Sequence, residues 1–172
     1  MEFTFPEHVA GWMHPLEGEE LQRLAIGKHV VEIGSFKGLS TIIMAKVAKR
    51  VVAIDPFDRC EVTRNRDTFP TFRENVYSHG VEDKVITIVA TAEAACPLIQ
   101  PHSFDLALID GEHTYDAVMS NIRVVAPLIK PDGLLLFHDY GHVGFPGVKA
   151  AVDTWRLSRP FKLVHTLAAV QL

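Results

Sequence analysis

Short apolar runs alternate along the chain with longer stretches in which apolar residues recur every three or four positions. The runs at 30–33, 51–54, 85–89, 104–109 and 134–137 are rich in Val, Ile, Leu and Ala and little interrupted, the pattern of strands buried on both faces. Between them, Ile42, Ile43, Ala45, Val47 and Ala48 predict a helix over 40–49. Phe69, Phe72 and Val76 follow i, i+3, i+7 spacing and close near Gly80. A short helix after Thr91 is stopped by Pro97, a longer one carries Val118, Ile122 and Val125, and a last one carries Val148, Val152 and Trp155. Leu16, Leu21 and Leu24 predict an amphipathic helix within an N-terminal segment, 1–29. Pro131-Asp132-Gly133 reads as a turn, and 161–172 as a hairpin turning near Thr166-Leu167.

Strands alternating with helices imply a mostly parallel sheet covered on both faces. Right-handed crossovers reduce the topologies to a doubly wound, Rossmann-like α/β sheet, to which the hairpin adds an antiparallel strand. A length of 172 residues fits one domain spanning 1–172. The net charge of −4 disfavours a nucleic-acid partner, and Arg59, Arg64 and Arg66, interleaved with Asp58, Glu61 and Asp67, read as a solvated loop. Cys60 and Cys96 have neither metal-like spacing nor enough partners for a disulfide framework, which points to a reducing compartment. With no signal-like segment and no run of membrane-spanning length, the expectation is a cytoplasmic protein without membrane contact.

Open α/β sheets bind ligands beyond the carboxyl ends of their strands. Glu32, Asp55, Ala90 to Glu93, Asp110 and His138-Asp139 fall there, whereas Asp105 belongs at the opposite edge. After the first strand, Gly34-Ser35-Phe36-Lys37-Gly38 has phenylalanine where a dinucleotide fingerprint needs its second glycine for close approach of pyrophosphate. Asp55, 21 residues beyond Gly34, suits a ribose diol, and Glu32 suits a cation and repels phosphate. A cationic nucleoside without pyrophosphate points to S-adenosylmethionine. The blander reading of Gly34 is a residue that merely turns the chain, and an NAD-linked oxidoreductase is the reading Phe36 disfavours.

Glu32-Ile33-Gly34-Ser35-Phe36-Lys37-Gly38-Leu39-Ser40-Thr41, Ile54-Asp55-Pro56, Ile109-Asp110-Gly111-Glu112-His113-Thr114-Tyr115-Asp116 and His138-Asp139-Tyr140 together resemble the class I S-adenosylmethionine-dependent methyltransferases, from about Trp12 onward. More narrowly they resemble a small bacterial branch with E-I-G-x-x-x-G-x-S-T and I-D-G-x-H-x-Y motifs, whose wider relatives include metal-dependent small-molecule O-methyltransferases. The resemblance implies that Glu32, Gly34, Ser35 and Gly38 hold the methionine part, with Ser40 and Thr41 at the helix start. Asp55 would bind the ribose, Phe57 would lie close to the adenosine, and Ala92 and Glu93 would lie at the adenine. Ala90-Thr91 departs from the glycine and small polar residue common in relatives.

An oxygen acceptor needs its proton removed or its charge stabilised, by a base or by a metal. Asp110, His113, His138 and Asp139 are the candidates: Asp110, His138 and Asp139 as ligands of a divalent cation such as Mg²⁺ or Mn²⁺, and Asp110, His113 and His138 as catalytic groups. His138 stands where several relatives have an acid, which favours a softer ion or none. Asp110 as a helix cap, His113 bonded to a carbonyl and His142 in a solvated loop are the blander readings. Tyr140 and Phe145 are expected to line the acceptor pocket or close its loop. The function expected is methyl transfer to a small-molecule acceptor, most simply a hydroxyl oxygen, with a homodimer as one way to complete the pocket. A catalytically silent nucleoside-binding module is the alternative.

Overall fold

A computed structural model describes residues 3–58 and 67–172. The expected solvated cluster of Arg59, Arg64 and Arg66, and Cys60 with it, lies outside the described residues.

The elements run α1 (Pro15–Ala25), β1 (His29–Ile33), α2 (Leu39–Ala45), β2 (Arg50–Ile54), α3 (Phe69–Ser78), β3 (Val85–Ile88), α4 (Ala92–Ala95), β4 (Phe104–Ile109), α5 (Tyr115–Val125), β5 (Ile129–Phe137), α6 (Pro146–Arg156), β6 (Phe161–Val164) and β7 (Leu167–Gln171). One sheet takes the order β3-β2-β1-β4-β5-β7-β6. β1 to β5 are parallel, and β7 runs antiparallel to both β5 and β6. The doubly wound sheet with its antiparallel terminal hairpin is therefore the observed architecture.

Two apolar layers enclose the sheet because neighbouring strand residues point to opposite faces. Val31 and Ile33 pack with Ile122 and Val125 of α5 and with Val148 and Val152 of α6. Val30 packs on the other face with Leu21 of α1, Ile42 and Ile43 of α2, and Phe72 and Val76 of α3. β1 is buried from Val30 to Ile33, which explains why its sequence does not alternate. Between β1 and β4 the chain departs in opposite directions, to α2 on one face and α5 on the other. That divergence opens a crevice at the carboxyl ends.

Several local expectations change. α2 stops at Ala45 rather than near residue 49, its last carbonyls accepting from the Lys84 ammonium (3.1 Å to Ala45, 3.3 Å to Lys46). Pro131-Asp132-Gly133 does not end an element; it lies in β5 opposite a register shift between Phe104 and Leu106, with Asp132 at φ +66°. The hairpin turns at His165-Thr166, one residue earlier than expected, with His165 at φ +52°. The buried face of α1 is Glu17, Gly18, Leu21, Gln22 and Ala25, while Leu16 is exposed. Asp105 lies at the opposite edge as expected, accepting from the His29 amide (2.8 Å) and from Lys130 (2.8 Å). Among the described residues, no helix is long and apolar enough to cross a membrane.

Candidate active site

The crevice is a cavity of ≈ 760 Å³ at the carboxyl ends of the strands. Gly34, Ser35 and Ser40 line it from the first loop and helix, Asp55 from the end of β2, and Ala92 and Glu93 from α4. Asp110, His113, His138 and Asp139 line its far side.

Glu32, Gly38, Thr41 and Phe57 are not among the lining residues. Glu32 sits beneath the loop with no exposed surface, and its carboxylate accepts hydrogen bonds from the hydroxyls of Ser35 (2.7 Å), Ser40 (2.5 Å) and Thr41. It therefore shapes the loop from below instead of meeting a ligand. Burial pushes Glu32 up to about 7, against the pull of the three hydroxyls. Because the folded value exceeds the ordinary 4.5, the neutral form favours folding, and this contribution is lost as pH rises through about 7. Wild-type protein is expected to lose stability relative to Glu32→Gln between about pH 4.5 and 7. Urea unfolding across that range checks this, and a difference independent of pH would contradict it.

Gly38, at φ +90°, starts α2 in a conformation that favours glycine. Phe57 turns inward at φ +53° and packs its ring on Phe69 (5.0 Å) and Phe72 (5.1 Å), so it does not reach the cavity as expected. Asp55 does line it. One of its carboxylate oxygens accepts from the amides of Ser35 (2.7 Å) and Phe36 (2.8 Å), the other from the amide of Phe57 (2.5 Å). Two loop amides that would otherwise face an anion are thus turned onto a carboxylate, which agrees with a loop not built for phosphate. Phe36, at φ +47°, carries the stacked ring of Trp12 (5.1 Å) over this part of the cavity. Trp12 and Met13 were not recognisable from sequence as lining residues, because only the folded N-terminal segment brings them across the loop.

On the far side, register brings the ends of β4 and β5 together: Ile109 pairs with Phe137, so Asp110 and His138-Asp139 are neighbours. Asp139 stands at φ +60°. His113 Nε2 lies 3.2 Å from Asp139 and 3.8 Å from Asp110. His138 Nδ1 lies 3.2 Å from Asp139 and 3.3 Å from Asp110. Both nitrogens are buried and lack hydrogen-bond geometry to any described residue. One ligand atom each from Asp110, His113 and Asp139 falls within a 4.8 Å spread, a set that has His113 where the one expected from sequence had His138. Asp110 is not the cap of α5; Thr114 is, accepting from the Ala117 amide (3.3 Å). Tyr140 does not line the cavity but is buried and donates to Asp153 (2.9 Å), whereas Phe145 and the exposed His142 do line it. Phe145 stacks between His113 (4.1 Å) and His142 (4.9 Å).

The cluster's electrostatics are mutual. The Asp110 and Asp139 carboxylates hold His113 up to about 9 despite its burial. Burial works to lower His138, but Asp110, Asp139 and Glu17 outweigh it and hold this imidazole well above its ordinary range. Burial likewise works to raise Asp139, yet the two imidazoles keep it well below the carboxylate range. Glu17 went unrecognised in the sequence. Its signal was an acid in the buried stripe of Leu21 and Ala25, at i, i+4, i+8 spacing.

The chain has recognisable relatives. The uncharacterized protein R132 of Acanthamoeba polyphaga mimivirus is 30% identical over 114 residues, covering 64% of this chain and 50% of that protein. A probable cobalt-precorrin-6B C(15)-methyltransferase (decarboxylating) of Halobacterium salinarum is 36% identical over 93 residues, covering 54% and 43%. The chain thus spans about half the length of the curated relatives it matches. The crystal structure of an O-methyltransferase from Bacillus cereus in complex with SAH superimposes with a TM-score of 0.71 at 18% identity, covering 98% of this chain and 84% of that one. A family profile described as a methyltransferase domain matches residues 31–140, the span from β1 through the far-side cluster, and the chain belongs to that methyltransferase family.

Proposed function

We propose that this chain transfers the methyl group of S-adenosylmethionine to a hydroxyl oxygen of a small molecule. The observation that carries the reading is one cavity with two unlike sides: a glycine loop whose amides are held by Asp55, facing an Asp110–His113–His138–Asp139 cluster. Its ≈ 760 Å³ lies within the range of small-molecule and cofactor sites. The Bacillus cereus structure, named for O-methyl transfer and bound to SAH, supports the same cofactor and acceptor atom.

When bound, the cofactor supplies a methyl group on a positively charged sulfur. The chain's own residues do the positioning, which accounts for much of the rate of an in-line displacement. Gly34 and Ser35 would hold the methionine part, Asp55 the ribose, and Ala92 and Glu93 the adenine. Ser120 donates to Glu93 (2.6 Å) and sets its orientation. Phe145 and His142 offer a flat wall to the acceptor. With no ion bound, His113, more exposed than His138, is the group placed to take the acceptor's proton, through a neutral form that the two carboxylates make scarce below about 9. The residues also fit a divalent cation, since two buried imidazole nitrogens without hydrogen bonds converge on two carboxylates. Such an ion would be held by Asp110, Asp139, His113 and His138 and would supply Lewis acidity at the acceptor oxygen.

Calorimetry with S-adenosylmethionine and NAD side by side tests the cofactor, and the sulfonium alone is expected to bind. Binding of NAD without the sulfonium would overturn the reading. Incubation with methyl-labelled cofactor and a panel of phenols and sugars, read by mass spectrometry, then tests the acceptor. Label is expected on oxygen. Transfer to carbon, as the halobacterial relative's name describes, would displace the oxygen reading.

A further inference from the structure

The carboxylate of Glu17, on α1, has 1% of its surface exposed yet meets donors from three parts of the chain. One oxygen accepts from the amide (2.8 Å) and hydroxyl (2.6 Å) of Thr166, in the turn between β6 and β7. The other accepts from the His14 amide (2.8 Å) and faces His138 Nε2 at 3.2 Å. An ionised carboxylate only accepts, so Nε2 must carry a proton. The ring is 4% exposed, and its remaining nitrogen, Nδ1, is aimed without a hydrogen bond between Asp110 and Asp139. A buried carboxylate that fixes one imidazole nitrogen and leaves the other without a hydrogen bond, free to give up its proton when an ion binds, is the arrangement that orients metal-binding histidines.

The spacing fits the same role. An ion with bonds of about 2.1 Å keeps neighbouring ligand atoms about 3.0–3.4 Å apart. Three of the four imidazole-to-carboxylate separations here are 3.2–3.3 Å, and the fourth is 3.8 Å. Mg²⁺ favours oxygen donors and keeps much of its water, whereas imidazole suits borderline transition ions.

We propose that Glu17 is a positioning residue that presents Nδ1 of His138 as a ligand, and that the resulting set of two imidazoles and two carboxylates takes an ion such as Co²⁺ or Zn²⁺ in preference to Mg²⁺. The inference rests on the reading of this cluster as the acceptor side of a methyltransferase, but its test does not use methyl transfer.

Chelator-stripped wild-type protein, without S-adenosylmethionine, is titrated calorimetrically with Co²⁺, Zn²⁺ and Mg²⁺. Co²⁺ and Zn²⁺ are expected to bind at least about 100-fold more tightly than Mg²⁺. Long-range ¹H–¹⁵N spectra of the Zn²⁺-loaded wild type are expected to show His138 protonated at Nε2 and metal-shifted at Nδ1. Glu17→Gln is expected to weaken Co²⁺ binding about 10- to 100-fold. Thr166→Val, which removes a hydroxyl from Glu17 without touching His138, is expected to leave Co²⁺ affinity unchanged. If Glu17→Gln does not fold, the wild-type spectra and ion ranking decide. Equal affinity for Mg²⁺, binding of no ion, or a proton on Nδ1 of His138 in the Zn²⁺ state would each overturn the proposal. Binding of S-adenosylmethionine to the same stripped protein is measured separately. Its retention alongside failure to bind any ion rejects this proposal alone, and its loss alongside tight Co²⁺ binding rejects the methyltransferase reading alone.

Discussion

Gly34→Ala is expected to abolish cofactor binding and to lower folding stability by about 2–5 kcal/mol, the sum of overpacking and left-handed backbone strain. A Cβ at this position would lie 2.2 Å from the Asp110 carbonyl oxygen, 2.6 Å from its carbon and 2.9 Å from Gly111 Cα, all backbone atoms that cannot swing aside. The amides on either side of the contact are committed too: Gly34 donates to Ile54 (3.0 Å) and Asp110 to Ile33 (2.8 Å). Relief therefore requires prying the cofactor loop off the end of β4, which separates the two sides of the cavity. Gly27→Ala supplies the control. Gly27 shares the positive φ (+68°) but has nothing within 4 Å of the new methyl, so it should cost only about 1–2 kcal/mol of strain. Urea unfolding of both variants and calorimetry with S-adenosylmethionine measure the difference. If Gly34→Ala costs no more than Gly27→Ala and still binds cofactor, the close approach does not matter.

His113→Ala is expected to reduce kcat about 10²- to 10⁴-fold with little change in affinity for S-adenosylmethionine. The ring meets the cavity between Asp139 and the face of Phe145, away from the loop that would hold the cofactor. Its loss removes the base of the ion-free site, or one ligand of the ion where one is bound, and leaves two carboxylates with less positive charge between them. Single-turnover rates with an acceptor from the labelled panel, together with cofactor calorimetry, separate chemistry from binding. A rate within tenfold of wild type would assign the proton to another group.

The fold was legible because the strands advertise it. Runs such as 30–33 and 104–109 are apolar on both faces, a composition suited to parallel strands between two helical layers. Asp110 and His138-Asp139 could also be placed at one edge, since each follows directly on a strand. What escaped was whatever depends on contact between distant segments. The buried face of α1 was misjudged because Glu17 and Gln22 are polar, and polarity normally marks the solvent side. The resemblance puts Phe57 close to the adenosine, but a positive φ turns its ring into the core. Glu32 carries the right charge for the cofactor loop and still works from underneath, since three nearby hydroxyls take up its oxygens. Pro131-Asp132-Gly133 has the local chemistry of a turn, and only the pairing of Ile129 and Leu134 on either side of it with β4 makes it the bulge of a strand.

The bonds that gather on Glu17 also bear on the order in which the molecule can be built. Glu17 is 149 residues from Thr166 and 121 from His138, so these contacts close very long loops and gain nothing until the intervening sheet exists. The apolar layer over Val31 and Ile33 also waits for Val148 and Val152 of α6 and for Val170 of β7, so the sheet closes as one unit late in synthesis. The far-side cluster cannot take its final form until the β6–β7 turn has emerged and met α1. A nascent chain that has not yet released this turn would therefore lack the buried pairing that fixes His138.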